Sequence, residues 1–194
     1  MSRIPVRELV LSAVLGLSLA NLSGCVPVVA VGAGTGVLMA EDRRTAGTYL
    51  LDEEIELKAA NRIHDAFGKG SHVNVTSFNR RVLLTGEVPN DEVRSKIRDL
   101  VKDVPNVKEV QNELVIGGVT SFGARSNDAY ITAKVKARMF DDKRFNANQV
   151  KVVTEGGVVF LMGIVKQDEA NAAAEVAAKT SGVTKVVKVF EYMD

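Results

Sequence analysis

Val82-Leu83-Leu84-Thr85-Gly86 and, 77 residues further on, Val159-Phe160-Leu161-Met162-Gly163 are the stretches that decide the fold. Each is a run of consecutive apolar residues closed by a glycine. Such a run reads as a central strand rather than a half-buried edge. Just upstream of each lies a shorter alternating segment, Val73 and Val75 in one half, Val150 and Val152 in the other. Phe78-Asn79-Arg80 and Glu155-Gly156-Gly157 separate the members of each pair. The Gly-Gly pair supplies the positive φ that a tight hairpin turn needs. Each half therefore contains an antiparallel hairpin with an inner second strand.

Helical periodicity flanks both hairpins. Before the first, Leu51, Ile55, Ala59 and Ile63 recur every four residues, with Phe67 a turn later, and Gly68 and Gly70 end the run. Before the second, Ile131, Val135 and Met139 form the matching face, and Ser126-Asn127-Asp128 reads as the helix cap. After the first hairpin, Pro89-Asn90-Asp91 opens a helix with Val93, Ile97, Leu100 and Val101 inward, which Pro105 ends. After the second, Asp168 to Ser181 is an alanine-rich helix ended by Gly182. Val107 to Ile116 and Val183 to Tyr192 supply the last strands. Ile55 with Ile131, and Val107 with Val183, lie 76 apart; Val73 with Val150, and Gly86 with Gly163, lie 77 apart. The reading is an α+β chain, a tandem repeat of two α-β-β-α-β units. Each is a three-stranded mixed sheet with two helices on one face. The third strand arrives through a helical crossover, so it pairs in parallel with a strand of the hairpin.

The N-terminus has a different character. Arg3 and Arg7 precede an uncharged apolar run from Val10 to Ala20, and Leu22-Ser23-Gly24 leads to Cys25, the one cysteine of the chain. A basic start, an apolar run of this length and a small-residue exit describe an export signal. The run is shorter than the ~20 residues of a spanning helix. The ending Leu-Ser-Gly-Cys resembles the lipobox of bacterial lipoproteins, which implies cleavage before Cys25 and acylation of its sulfur and new amino group. Residues 1–24 are thus a signal peptide. Residues 25–48 form a lipidated linker, and treated as a coil the stretch from Cys25 to about Leu50 spans roughly 25–30 Å. Residues 49–118 make the first domain and 119–194 the second, with a connecting stretch over 117–126.

Composition narrows the function. Among 194 residues 46% are apolar and 25% charged, enough for packed cores. A net charge of +1 argues against a general nucleic-acid binder. One cysteine allows no intramolecular disulfide, so stability must come from packing. His64 and His72 have no cysteine or second histidine at metal-ligand spacing, so no metal is expected. Glu53-Glu54 and Asp141-Asp142 read as solvated helix and loop residues rather than acid–base pairs, and no phosphate-cradling loop precedes a helix. The reading is a protein with no cofactor and no enzymatic activity.

The segments Val82-Leu83-Leu84-Thr85-Gly86-Glu87-Val88 and Val159-Phe160-Leu161-Met162-Gly163-Ile164-Val165 carry a family resemblance. So do Asp52 with Ile55, Asp128 with Ile131, Val107-x-x-Val110-x-Asn112, and Gly182-Val183-x-x-Val186. Each half resembles a BON domain. The second copy departs from the first in Met162 for Thr85 and Lys188 for Asn112. With the lipobox and Asp42-Arg43-Arg44-Thr45-Ala46-Gly47, the chain is similar to the dual-BON outer-membrane lipoproteins. That resemblance implies a non-enzymatic periplasmic protein on the inner leaflet of the outer membrane. It would support envelope integrity and bind anionic phospholipid through its second domain. Val26 after the cysteine, rather than aspartate, fits the family's rule for sorting to that membrane.

The first helices of the two repeats can be compared position by position at 100° per residue. The outward residues of the first are Glu54, Leu57, Asn61, His64 and Asp65, an ordinary wet face. Those of the second are Tyr130, Ala133, Ala137 and Phe140, flanked by Lys134 and Lys136, with Arg138 nearer the core edge. Residues 46–118 carry ten basic and twelve acidic side chains, and residues 119–194 eleven and nine. Lysines on both margins of an apolar stripe can lay their stems on acyl chains while reaching lipid phosphates, and tyrosine favours such a boundary. Tyr130, Ala133, Lys134, Lys136, Ala137, Arg138 and Phe140 are therefore the expected phospholipid face. A second reading stays open on these residues, in which the same stripe packs against the first domain or against an envelope protein.

Overall fold

A computed structural model describes residues 42–193; the side chain of Lys69 lies outside that description. Cys25, the signal segment and most of the expected linker also lie outside the described residues. The order of elements repeats as expected. In the first domain α1 (Ala46–Phe67) runs through a short 3-10 turn into β1 (His72–Phe78) and β2 (Arg81–Val88), then α2 (Asp91–Lys102), β3 (Glu109–Asn112) and β4 (Val115–Ile116). In the second, α3 (Phe122–Asp141) precedes a 3-10 turn at Ala147–Gln149, then β5 (Lys151–Glu155), β6 (Val158–Val165), α4 (Gln167–Ala178) and β7 (Lys185–Tyr192). In each sheet the second strand is central. β1 pairs antiparallel with β2 and β3 parallel to it; β5 and β7 flank β6 in the same way.

Three boundaries differ from expectation, each for a local reason. Helix α1 opens at Ala46, inside the stretch read as linker, because the Thr45 hydroxyl accepts the Thr48 amide at 3.1 Å. Helix α3 opens at Phe122 because Ser121 caps it by accepting the Ala124 amide. Asp128, expected as a cap, is buried mid-helix with another task. The third strand of the first domain is split into β3 and β4, both beside β2. Asn112 breaks it: its carbonyl oxygen accepts the Leu114 amide and its amide donates to the Arg94 carbonyl, and Leu114 turns into the core.

Asp128 and its equivalent Asp52 tie helix to hairpin. The Asp128 carboxylate accepts the amides of Gly156 and Gly157, both at 2.9 Å. Asp52 accepts the amides of Asn79 and Arg80 at 2.8 and 2.7 Å, and the Ser77 hydroxyl at 2.6 Å. All four turn residues have positive φ: 52° and 68° at Asn79 and Arg80, 57° and 75° at Gly156 and Gly157. Two consecutive residues of that kind make the hairpin turn whose twist matches its strands. The first domain builds it without glycine, with the buried carboxylate holding both amides. Gly86 and Gly163 mark a second shared constraint. A side chain there would meet backbone of the neighbouring strand, His72 O at 2.0 Å and Gln149 O at 2.4 Å.

Packing forms three layers of contact. Ile55, Ala59 and Ile63 of α1 and Ile97 and Val101 of α2 cover Val82, Leu84 and Val88. Ile131, Val135 and Met139 of α3 and the alanines of α4 cover Val159, Leu161 and Val165. The alternate residues of the central strands face the other way. Leu83 with Phe78, and Phe160 with Met162, meet in a third buried cluster that joins the two sheets. This is why the two central strands read as unbroken apolar runs: both faces of each sheet are covered.

A prediction follows from the aspartate ties. Hydrogen bonds to a charged acceptor contribute about 1.5–3 kcal/mol each. Asp128→Ala should therefore lower stability by at least about 3 kcal/mol in urea unfolding, whereas Asp128→Asn, which keeps one acceptor oxygen, should lose less.

Candidate functional site

Every member of the expected lipid face lies on α3. At 100° per residue the core side is taken by Asp128, Ile131, Val135 and Met139, all buried. Tyr130, Ala133, Ala137 and Phe140 are exposed on the opposite side. Tyr130 and Phe140 keep 62% and 64% of their surface in solvent, so neither is packed away against the first domain. Because the helix opens at Phe122, the stripe is longer than the sequence indicated. Phe122 sits five turns from Phe140 on nearly the same meridian and is 79% exposed. Ala129 lies between them, and the whole stripe is ~27 Å long at 1.5 Å per residue. Arg125, also brought in by the longer helix, falls on the margin occupied by Lys136. Both residues were outside the expected set because the Ser-Asn-Asp triplet imitates a cap; Ser121, seven residues before Asp128, was the available signal for the true start.

The cations on the stripe differ in what they do. On one margin Lys134 donates to the Ser181 carbonyl at 2.5 Å and lies 4.8 Å from the Tyr130 ring centre. Arg138 donates to the Lys179 carbonyl at 2.8 Å. Both side chains thus bind carbonyls released at the end of α4. On the other margin Lys136 is exposed and has no hydrogen-bond or ion-pair partner among the described residues. The one acid within the helix before its last residue, Asp128, is buried on the hairpin turn, so it does not offset this charge.

Lys136 and Phe140 also line a cavity of about 300 Å³ together with Asp42, Arg44, Tyr49 and Lys151. Arg44 is its fixed centre. Its guanidinium bonds Asp42 and Asp52 at 2.7 and 2.8 Å and stacks between Phe78 and Tyr49, 4.0 and 5.1 Å from the ring centres. Burial disfavours the Arg44 charge, but the two carboxylates outweigh it and hold the group more firmly protonated than usual. Neighbouring Arg43 reaches the second domain, where it makes a forked ion pair with Glu169 at 2.7 and 2.8 Å and donates to the Ile164 carbonyl. Lys151 crosses the other way to Glu56 at 3.0 Å.

The histidines part company. His64 is exposed on α1. His72 lies opposite Glu87 in the β1–β2 register, with Nδ1 and Oε2 3.0 Å apart. Glu87 is buried and also accepts the amide and hydroxyl of Thr120. Burial pushes its pKa up, but the Thr120 bonds and His72 together bring it below the usual range. Glu155 of the second domain comes alongside, so that ligand atoms of His72, Glu87 and Glu155 all lie within 4.8 Å of one another. Of the expected surface carboxylates, Glu54 pairs with Lys58 and Asp142 with Arg144; the latter pair brings Asp142 down to about 2. No helix among the described residues is long and apolar enough to cross a membrane.

The model of the BON domain matches residues 52–118 and again 127–194. The chain is 47% identical over 175 residues to the outer membrane lipoprotein DolP of Haemophilus influenzae, covering 89% of this chain and 91% of that protein. It is 37% identical to a 21 kDa hemolysin of Actinobacillus pleuropneumoniae, over 78% of this chain and 79% of the other. It is 29% identical to the osmotically-inducible protein Y of Escherichia coli, over 73% and 72% of the two chains.

The Arg43–Glu169 pair makes a pH-dependent prediction. The Arg43 hydrogen bonds are the main effect on Glu169; they outweigh burial and lower its pKa. A carboxylate lowered in the folded state adds stability that is full above its unfolded pKa, about 4.3, and is lost as pH falls through the folded value. Thermal unfolding followed from pH 7 to pH 3 should show a smaller acid-induced drop in Tm for Glu169→Gln than for the unaltered chain, with the variant less stable at pH 7. Equal slopes would mean the pair adds nothing.

Proposed function

Because this chain belongs to the BON-domain family and has the dual-domain form of DolP-like lipoproteins, we propose that it is an outer-membrane lipoprotein with an envelope role, anchored by acylated Cys25 and facing the periplasm. Its α3 surface docks on anionic phospholipid. The observation that carries the second part is the stripe from Phe122 to Phe140: aromatic at both ends and near the middle, small between, with cations on both margins.

Apolar burial and charge contribute together. A side chain such as Tyr130 or Phe140 moving from water into the headgroup–acyl boundary gains about 1.5–3 kcal/mol if fully buried. Each lysine or arginine near an anionic surface adds about 1 kcal/mol. Lys136 and Arg125 are the cations best placed to meet phosphates, and Lys134 and Arg138 can do so while holding the end of α4. Acyl chains on Cys25 would already confine the protein to the bilayer, so a weak surface contact suffices to orient it. The small residues Ala129, Ala133 and Ala137 let the helix lie close to the surface. An apolar surface of this kind also fits a protein partner, which the same experiment separates.

The measurement is a titration of residues 42–194 with vesicles of phosphatidylglycerol or of phosphatidylcholine, followed by amide shifts and cosedimentation. Shifts should map to α3 and appear with the anionic vesicles. Tyr130→Ser or Phe140→Ser should each weaken binding about tenfold, the equivalent of 1.4 kcal/mol. Leu57→Ser on α1 should leave it unchanged. Shifts centred on α1, or equal binding to both vesicles, would sink the lipid reading. No vesicle binding, together with protein crosslinks from position 130 in cells, would favour the adaptor.

A further inference from the structure

The joint between the two sheets holds a second constellation, next to the margin of α3 that carries Arg125. β1 contributes His72, β2 its register partner Glu87, and β5 of the second domain contributes Glu155. All three side chains lie on the strand faces turned toward the other domain. One ligand atom from each falls within 4.8 Å of the others, the closest pair being His72 Nδ1 and Glu87 Oε2 at 3.0 Å. Metal bonds of about 2.0–2.2 Å in a tetrahedral site put ligand atoms roughly 3.3–3.6 Å apart. The group is therefore within about an ångström of metal-binding geometry.

Charge points the same way. Two carboxylates share this corner, and neither forms an ion pair with a lysine or arginine among the described residues. The imidazole is the one basic group bonded to them. The carboxylates are also oriented from behind. Glu87 accepts the amide and hydroxyl of Thr120, and Glu155 accepts Asn74 Nδ2 at 2.8 Å and the Thr85 hydroxyl at 3.1 Å. Carboxylates fixed by such partners are the usual outer support of a metal site. A cavity of about 360 Å³, lined by His72, Asn74, Arg125, Thr154 and Glu155, gives an ion and its water a way in.

We propose that His72, Glu87 and Glu155 bind one divalent transition ion of the zinc class, which ties the two domains together. One imidazole and two carboxylates suit zinc and its neighbours, whereas magnesium and calcium take all-oxygen sets. The ion replaces the His72–Glu87 hydrogen bond with two bonds to itself and takes Glu155 as its third protein ligand. Two ligands come from the first domain and one from the second, and Thr120 of the connecting segment backs Glu87. Binding to the folded form alone raises stability in proportion to the logarithm of ion concentration.

The test uses the full chain in detergent with Cys25→Ser, which removes the thiol. Equilibrium dialysis against zinc chloride and thermal unfolding with and without zinc are the two readouts. One zinc per chain is expected, with a Tm that rises with zinc and returns on chelation. Glu155→Gln keeps acceptors for Asn74 and Thr85 but should weaken zinc binding at least about tenfold and abolish the Tm rise. His72→Ala should do the same, and His64→Ala should change neither readout. A merely structural role for these residues predicts a lower Tm in the variants with no dependence on zinc, and that result overturns the site. So does the absence of saturable binding, or equal loss in His64→Ala.

Discussion

A buried carboxylate that holds the amides of a hairpin turn is the interaction on which each repeat depends. Asp52 and Asp128 come from the middle of a helix and close on the turn of the strands below it. That contact fixes the helix along the sheet and holds the turn in its positive-φ conformation. Glycine makes this conformation cheap in the second domain. In the first, Asn79 and Arg80 adopt it without that help. Asp52 compensates by accepting a third bond from Ser77, and Arg44 in turn neutralises it. Burying a lone carboxylate is costly, and both domains offset the cost with donors on both oxygens, four bonds at Asp52 and two at Asp128.

With the helices fixed on one face, the other face of each sheet is left to be covered, and the two domains cover each other. Phe78, Leu83, Phe160 and Met162 fill that joint, and polar pairs ring it: Lys151 with Glu56, Asn79 with Glu191, Asn74 and Thr85 with Glu155. This arrangement decides which surfaces remain for function. The inner faces of the sheets are not available, α2 carries alternating charges, and the outer side of α1 mixes charges with exposed Leu50 and Leu57. The outer side of α3 carries three exposed aromatic rings, and nothing in the fold requires Phe122, Tyr130 or Phe140 to be there.

Much of this was legible in the sequence. The 76–77 residue repeat, the hairpins and the inner position of β2 and β6 follow from periodicity alone, and so does the outward direction of Tyr130 and Phe140. What was not legible had two causes. Short polar residues serve equally as caps and as buried clasps, so Asp128 was read as the start of a helix that opens at Phe122, and Phe122 and Arg125 were left out of the face. The other cause is distance along the chain. His72, Glu87 and Glu155 reach one corner through strand register and domain packing, and Arg43 finds Glu169 across the joint; no local pattern encodes either meeting. The runs at Leu83-Leu84 and Phe160 to Met162 marked the central strands, but the reading gave each sheet one covered face, and the cover on the other comes from the partner domain.

The pinned arginines fix where residues 42–44 lie relative to α3. Arg44 is locked between Phe78 and Tyr49, and Arg43 is forked onto Glu169, so residues 42–44, expected in the linker, are packed onto the two domains. Asp42 lines the same cavity as Lys136 and Phe140. Asp42, the first of the described residues, therefore lies beside one end of the α3 stripe. Asp42 stands seventeen positions after Cys25, so an acyl anchor at Cys25, as proposed above, would lie no further than about 60 Å from it at full extension. The ion pair of Arg43 thus ties these residues to the second domain and those of Arg44 tie them to the first, which keeps residues 42–44 beside the C-terminal end of α3.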